Sequence, residues 1–318
     1  MGLYGAGLSR PHFSSSPVRD VSVDDVPATA PTTTLLDASV ITRALSEASL
    51  DKGRVMKRKI LSVLLTFLTL STQGAQGTQV SEAITVFDIS VAERRPYDRD
   101  TFTQGLLISS ENLWVSSGLY GQSFVQRADL PSGENKRRWD LPDNLFAEGI
   151  AHHEDDLYVL TWKSRQMLAL DPETLSVKAT HRLPGEGWGL TSDGTSLWMS
   201  DGTSRIREWR DGKFQRTLTV TLRGKPLSRL NELEWIDGEI WANVWMTDQI
   251  VTIAPTSGKI TRIIDLANLL PKSERARNTD VLNGIAHDPK ANATWVTGKR
   301  WPYMYRIELL ERKASSSN

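Results

Sequence analysis

Cysteine is absent from all 318 residues, which excludes a disulfide framework, a thiol nucleophile and any thiolate-held metal. Compartment stays open on this count, since a chain of this length can bury an adequate core without cross-links. Net charge is lacking as well, with 38 basic side chains against 38 acidic ones. No excess of either sign steers the protein toward nucleic acid or an anionic bilayer. Histidine is scarce, and the five (His12, His152, His153, His181, His287) form no His-Glu-x-x-His pattern. His152 and His153 are adjacent, so on a strand they face opposite sides, and no metal or other cofactor is expected. No glycine-rich phosphate loop opens a helix, because Gly185 to Gly189 (GEGWG) lacks that fingerprint, and no Gly-x-Ser-x-Gly elbow occurs.

What is present begins with a processing pattern. From Met56 the chain reads Met-Lys-Arg-Lys, then the 11 residues Ile60 to Leu70, then small residues up to Gly77. A basic start, a short apolar run and a small-residue exit are the parts of a secretory signal peptide. Eleven apolar residues are too few for a membrane-spanning helix, so no stable membrane association is expected. Residues 1–55 are rich in Ser, Thr, Pro, Ala and Asp without a sustained apolar period and read as a disordered extension. The expected organisation is therefore an upstream segment, 1–55, that is not native to the protein, with Met56 the true start. A signal peptide, 56–77, then gives a mature start near Thr78, followed by one domain, 78–313, and a disordered tail, 314–318. The competing reading of 60–70 is a buried element of the fold. The export reading places the mature protein in a periplasm or outside the cell.

The rest of the chain repeats. An apolar or β-branched residue followed by an aromatic recurs at Leu113-Trp114, Leu157-Tyr158, Leu197-Trp198, Ile240-Trp241 and Thr294-Trp295, in steps of 44, 40, 43 and 54 residues. Each mark lies in a short β-prone run, and several follow a turn such as Asp193-Gly194 or Asp237-Gly238. A period of about 40–45 residues with several short strands is the pattern of a propeller of four-stranded blades. Five marks predict an all-β, five-bladed β-propeller. The last repeat is short of an outer strand, and Ile84 to Val91 (ITVFDISV) is expected to supply it, closing the ring with an N-terminal strand. A β-sandwich, the competing all-β fold, has no such long superperiod.

Counting back nine residues from the marks reaches Gln104, Glu148, Trp188 and Asn231; counting back eleven in the fifth repeat reaches Asn283. Superposed repeats would put these at the starts of the innermost strands, around the mouth of the central channel. A second equivalent set, five residues after each mark, is Gly118, Trp162, Gly202, Trp245 and Lys299. Polar groups buried without partners cost about 1–3 kcal/mol each, so a wet functional pocket explains these two rings better than packing alone.

These stretches resemble the glutamine cyclotransferase family, the propeller-type glutaminyl cyclases of plants and bacteria. The matching segments include FTQGLLI (102–108), GLYGQS (118–123), FAEGI (146–150), LTWK (160–163) and GEGWGLT (185–191). MSDGTS (199–204), LNELEW (230–235), NVWMTDQI (243–250), DVLNGIA (280–286) and VTGKRWP (296–302) follow in order, so the likeness runs from about Phe87 to Glu308. The resemblance implies conversion of N-terminal glutaminyl residues of peptides or proteins to pyroglutamyl with loss of ammonia. It also implies that Glu148 matches the family's proton carrier. Gln104, Asn231 and Lys299 match polar groups around the substrate amide, and Phe102, Phe146, Trp188 and Trp245 match its aromatic walls. Two departures stand out. Val115-Ser116-Ser117-Gly118 replaces a usual Glu-Ser-Thr-Gly, and Ala147 replaces a usual Gly beside the Glu.

Cyclisation requires the neutral α-amine to attack the side-chain carbonyl carbon, with proximity partly built into the substrate. One carboxylate can carry the proton from the attacking to the departing nitrogen. Glu148 is the sole acid of the inner ring and is assigned that role, its bland alternative being an ion pair across the channel. Lys299 or Asn231 would donate to the carbonyl oxygen as it gains charge; for Lys299 the bland alternative is a solvated rim charge. Trp162 is expected in the core or at the rim, and Glu234, nominally on Asn231's face, in a supporting position. A functional alternative from another class is an exported, non-catalytic propeller that binds peptides or glycans in the same channel. A metal-dependent propeller lactonase is disfavoured for want of a ligand set. The protein is expected to act as a monomer.

Overall fold

Two-residue turns set the rhythm of the chain. Asp211-Gly212 and Asp237-Gly238 each have both residues at positive φ, the backbone that matches the twist of a tight antiparallel hairpin. The computed structural model describes residues 84–130 and 132–312. Residues 1–83 lie outside them, so the extension 1–55, the signal peptide 56–77 and the start near Thr78 are not among the described residues. Neither is the 314–318 tail. The described residues form an all-β, propeller-like fold, with one short 3-10 turn at Lys272–Glu274. No helix among them is long and apolar enough to cross a membrane.

Three sheets are four-stranded antiparallel meanders. The first holds Thr103–Ser109, Asn112–Ser117, Phe124–Asp129 and Asn135–Asp140; the second, Ala147–His153, Asp156–Thr161, Gln166–Leu170 and Val177–Arg182. The third holds Leu190–Ser192, Leu197–Ser200, Arg205–Arg210 and Lys213–Thr219. A two-stranded ribbon pairs Thr221–Leu222 with Lys225–Pro226, and the remaining sheet has eight strands and consists of two further meanders joined at their outer edges. The fourth meander is Leu230–Ile236, Glu239–Val244, Gln249–Ile253 and Ile260–Asp265. The fifth is Leu282–Asp288, Ala293–Gly298 and Tyr303–Glu311, completed by Thr85–Pro96 from the start of the described chain. That N-terminal strand pairs antiparallel with Tyr303–Glu311, as its alternating pattern predicts, and extends past the expected Val91 to Pro96. It also pairs in parallel, Thr85 to Arg262 and Phe87 to Ile264, a junction with no counterpart in the sequence reading.

Burial falls from the first strand of each meander to the last. Ala147–His153 and Leu230–Ile236 are buried almost throughout, while Asn135–Asp140 and Val177–Arg182 are largely exposed and polar. The first strands touch one another in a closed circle, the first meander meeting both the second and the fifth. The apolar core is correspondingly divided into layers between neighbouring meanders. Trp114, Ile150 and Leu168 fill one such layer, and Leu106, Val115, Ala286 and Trp295 another. Four mark tryptophans are buried and carry a guanidinium from an outer strand: Arg127 over Trp114, Arg216 over Trp198, Arg262 over Trp241 and Arg95 over Trp295. The marks recur because each layer needs one large, flat apolar group, and the Arg stems cover its outer face.

The inner strands approach so closely that side chains do not fit between them. A Cβ on Gly149 would lie 2.4 Å from the Leu190 nitrogen, and one on Gly189 would lie 2.0 Å from the Asn231 carbonyl oxygen. This is the physical reason for glycine after Glu148 and after Trp188. Glu232 fastens the ring from within, accepting hydrogen bonds from the Leu106 N–H (3.4 Å) and the Ile285 N–H (2.9 Å) on two other inner strands. Glu234 accepts from the His287 N–H (2.9 Å) and the Thr191 hydroxyl (3.5 Å).

Candidate active site

The two polar rings read from the sequence meet because of antiparallel register. Thr103 pairs with Ser117, Ala147 with Thr161, Leu230 with Val244 and Leu282 with Gly298. The start of each inner strand therefore lies beside the end of the second strand, and residues flanking both project from the same end of the molecule. At each of these four places the register slips, between Thr103 and Gly105, Ala147 and Ile150, Leu230 and Leu233, and Leu282 and Ile285. Gln104, Glu148, Asn231 and Asn283 lie inside those slips, the last three together with Gly149, Glu232 and Gly284. A β-bulge leaves its extra residue out of the ladder and re-aims its side chain, which frees these four from the alternation of their strands. Trp188 is the exception: it precedes the short strand Leu190–Ser192, with its N–H on the Ser200 carbonyl at 3.1 Å. The count of eleven in the fifth repeat has a simple cause. His287 pairs with Thr294, seven residues apart, where the equivalent Ile108 and Leu113 are five apart.

Glu148 lies at the centre of this end, 4% exposed. Its Oε1 accepts a hydrogen bond from Gln104 Nε2 at 3.3 Å, and Gln104 Oε1 in turn faces Asn283 Nδ2 at 3.5 Å. Burial pushes the Glu148 carboxyl well above the usual carboxylate range; Lys299 pulls it back and Glu186 adds to the rise. Lys299 is 6% exposed, so it is no solvated rim charge. Its ammonium stands 4.9 Å from the centre of the Phe102 ring, and burial lowers its proton affinity against the pull of Glu148 and Asp280. Asn231 is buried with its Oδ1 unpaired, and the neighbouring buried Asn243 leaves its Nδ2 unpaired while its Oδ1 accepts from the Gly284 N–H (3.0 Å). Carboxamide atoms left without partners in a buried position are costly unless a ligand completes them.

The walls are aromatic. Trp188 and Trp245 meet edge to face, 5.6 Å between ring centres at 88°. Gly202, at φ +75, lies against Trp188, and a Cβ there would come 2.7 Å from the indole. Gly118 seats Phe146 in the same way, its hypothetical Cβ 2.3 Å from that ring. The two glycines of the second polar ring thus make room for aromatics that lead into inner strands, Phe146 before Ala147–His153 and Trp188 before Leu190–Ser192. Phe146 continues into Trp162 (5.4 Å) and Tyr120 (5.4 Å).

One expectation needs correction, that for Glu234, and Trp162, Val115 and Ala147 can be placed. Trp162 is half-buried at the rim, one of its two expected places, where it packs on Phe146 and Tyr120 and its indole N–H donates to Glu186 Oε2 at 2.8 Å. Glu234 does not share Asn231's side of the strand, because residues three apart alternate to opposite faces and 234 has the parity of 232; both carboxyls clip inner strands together instead. Val115 is not at the site at all. It is buried against Leu106, Ala286 and Trp295, so the missing carboxylate leaves an apolar contact between sheets and no gap at Glu148. Ala147 is likewise buried, its N–H on Ser123 Oγ at 3.1 Å. Two site residues escaped the sequence reading, Glu186 and Tyr120, although both lie inside quoted segments, GEGWGLT and GLYGQS. Among the described residues no group of three His, Asp or Glu side chains is placed to hold a metal.

A family model described as glutamine cyclotransferase matches residues 61–309. This chain belongs to the glutamine cyclotransferase family. It is 36% identical over 265 residues to a glutaminyl-peptide cyclotransferase of Arabidopsis thaliana, covering 81% of this chain and 82% of that protein. Among solved structures it is similar to the glutaminyl cyclase of Myxococcus xanthus, with a TM-score of 0.67 and 30% identity. That likeness covers 73% of this chain and all of the Myxococcus chain. As a glutamine cyclotransferase family member the chain keeps the ten quoted segments in the described fold. Their residues converge on the bulged end of the inner strands.

Proposed function

We propose that this chain is a glutaminyl-peptide cyclotransferase, an acyl-transfer enzyme that cyclises N-terminal glutaminyl residues of peptides on a five-bladed propeller. The observation that carries the proposal is Glu148. It is a buried carboxyl of raised proton affinity that accepts from Gln104 at 3.3 Å and faces a buried lysine, between aromatic walls. Membership of the family supports the reaction class.

In this reading the substrate's aliphatic side chain lies between Trp188, Trp245, Phe102 and Phe146, and Gln104 orients its carboxamide. The uncharged α-amine attacks the carboxamide carbon, forming the lactam C–N bond. Glu148 takes a proton from the attacking nitrogen and returns it to the side-chain nitrogen; the old C–N bond breaks and ammonia leaves. The carboxyl ends in the protonation state in which it began. Desolvation suits it to both transfers by bringing its proton affinity toward that of its partners. Lys299 or the Asn231 amide donates to the carbonyl oxygen as it gains charge. We further propose that the protein is exported as a monomer, with residues 56–77 as the signal and Thr78 as the mature start.

Ammonia release from a glutaminyl dipeptide by the purified protein tests the activity, and binding of such peptides without ammonia release would refute it. Amino-terminal sequencing of exported protein tests the start. A mature, active protein that retains residues 1–55 would overturn it.

A further inference from the structure

Glu186 receives two indole N–H groups on one carboxylate oxygen. Trp162 Nε1 donates to Oε2 at 2.8 Å and Trp188 Nε1 at 3.1 Å. The two tryptophans come from different parts of the rim: Trp162 follows the second strand of the second meander, and Trp188 precedes the third meander. Each is a wall in its own right, Trp162 against Phe146 and Tyr120, and Trp188 against Trp245. A half-buried carboxylate between two indoles is an unusual place for a charge unless that charge is used, because neither indole can neutralise it. Hydrogen bonds to a charged acceptor are also stronger than neutral ones.

Resting on the proposed cyclisation, we propose that Glu186 is a positioning residue of the reaction. It fixes the planes of Trp162 and Trp188 through their indole N–H groups.

The charge of Glu186 also bears on Glu148, among the charged and titratable groups that face it. Lys299, after the second strand of the fifth meander, stabilises its anion, and Asp280 acts on Lys299 in turn. Glu186 acts in the opposite sense. Tyr120, 46% exposed, faces both carboxylates and holds its proton more tightly because of burial and of them. Gln104 is the neutral neighbour, bonded at 3.3 Å. Glu186 thus opposes Lys299 at Glu148 as the smaller influence of the two: its charge favours the proton there and Lys299 the carboxylate. The anchoring explains why a side chain that touches neither reacting nitrogen sits between two walls of the pocket.

Two substitutions separate the roles. Glu186→Gln keeps one acceptor oxygen for an indole and removes the charge. The limb of the kcat profile that follows Glu148 should move to lower pH, with KM within about threefold of the parent. Glu186→Ala removes both anchors, so KM should rise about tenfold, the cost of losing a hydrogen bond to a charged group. The indole N–H proton resonances of Trp162 and Trp188, assigned through single Trp→Phe variants, should then shift upfield in the absence of substrate. A merely structural role predicts a lower melting temperature with an unmoved pH profile and KM, and that result overturns the proposal. Indole resonances identical in parent and Glu186→Ala overturn it as well. If the parent releases no ammonia, the proposed function fails; the indole resonances, read without substrate, still decide the anchoring.

Discussion

Replacing Glu148 with Gln isolates the proton from everything else the side chain does. The substitution keeps the volume, leaves an oxygen to accept from Gln104 Nε2 where Oε1 now does at 3.3 Å, and removes the titrating group. A positioned acid–base residue contributes about 10²–10⁴ in rate, so kcat should fall by that factor, equivalent to about 2.7–5.4 kcal/mol of barrier. Stability should move the other way or hardly at all. The carboxyl binds its proton more tightly folded than unfolded because of burial, so its contribution is present below the ordinary carboxylate pKa. That contribution is lost as pH rises through the folded value. Gln carries no such penalty, and the variant should melt at or above the parent temperature on the alkaline side. A change of about 1 kcal/mol would be seen as only about 2–4 °C in a domain of this size. Ammonia release measured in a coupled assay gives kcat and KM, and calorimetry at two pH values gives the melting temperatures. If Glu148→Gln cyclises glutaminyl peptides at the parent rate, Glu148 is structural and the mechanism derived from its position is wrong.

Trp245→Ala should raise KM about tenfold, because it removes a half-buried wall and the edge-to-face partner of Trp188. Steady-state kinetics checks it, and an unchanged KM would take Trp245 out of the pocket. Glu234 has its carboxyl pushed up to about 8 by burial, so the folded state holds a proton that the unfolded chain releases near 4.5. Its stabilisation is complete below about pH 4.5 and fades as pH rises to about 8, and Glu234→Gln should flatten the fall in melting temperature across that window. Parallel pH–melting curves for parent and Glu234→Gln would refute this account.

Much of the fold was legible because it repeats. The marks, their near-constant spacing and the Asp-Gly turns are local features, and repetition turns weak strand signals into an architecture. The N-terminal strand could be foreseen because Ile84 to Val91 alternates and the last repeat lacked an outer edge. The inner ring could be counted from the marks because antiparallel hairpins of equal length keep a fixed distance between them. The two extra residues of the fifth turn were already visible as a count of eleven.

What the sequence could not supply was direction and neighbourhood. Alternation alone puts Asn231 and Glu232 on opposite faces and cannot say where a bulge releases a residue from its strand. It does set Glu234 with Glu232 and opposite Asn231, against the nominal placing of Glu234 on Asn231's face, but cannot show that the ring uses it as a clip. Val115 read as a lost carboxylate, yet its side chain is buried between two sheets and away from Glu148. Trp162, Tyr120 and Glu186 are separated along the chain by loops, and nothing local connects them. The fold of the second meander brings Trp162 to Glu186, which already lies two residues from Trp188, and ring closure brings Lys299 to act on Glu148. The sequence by itself determined which residue types stand at the starts of the inner strands, since turn chemistry and strand length are written locally. The tertiary structure alone decided which of them are buried together, because burial, and with it the proton affinity of Glu148, depends on side chains contributed by every part of the ring.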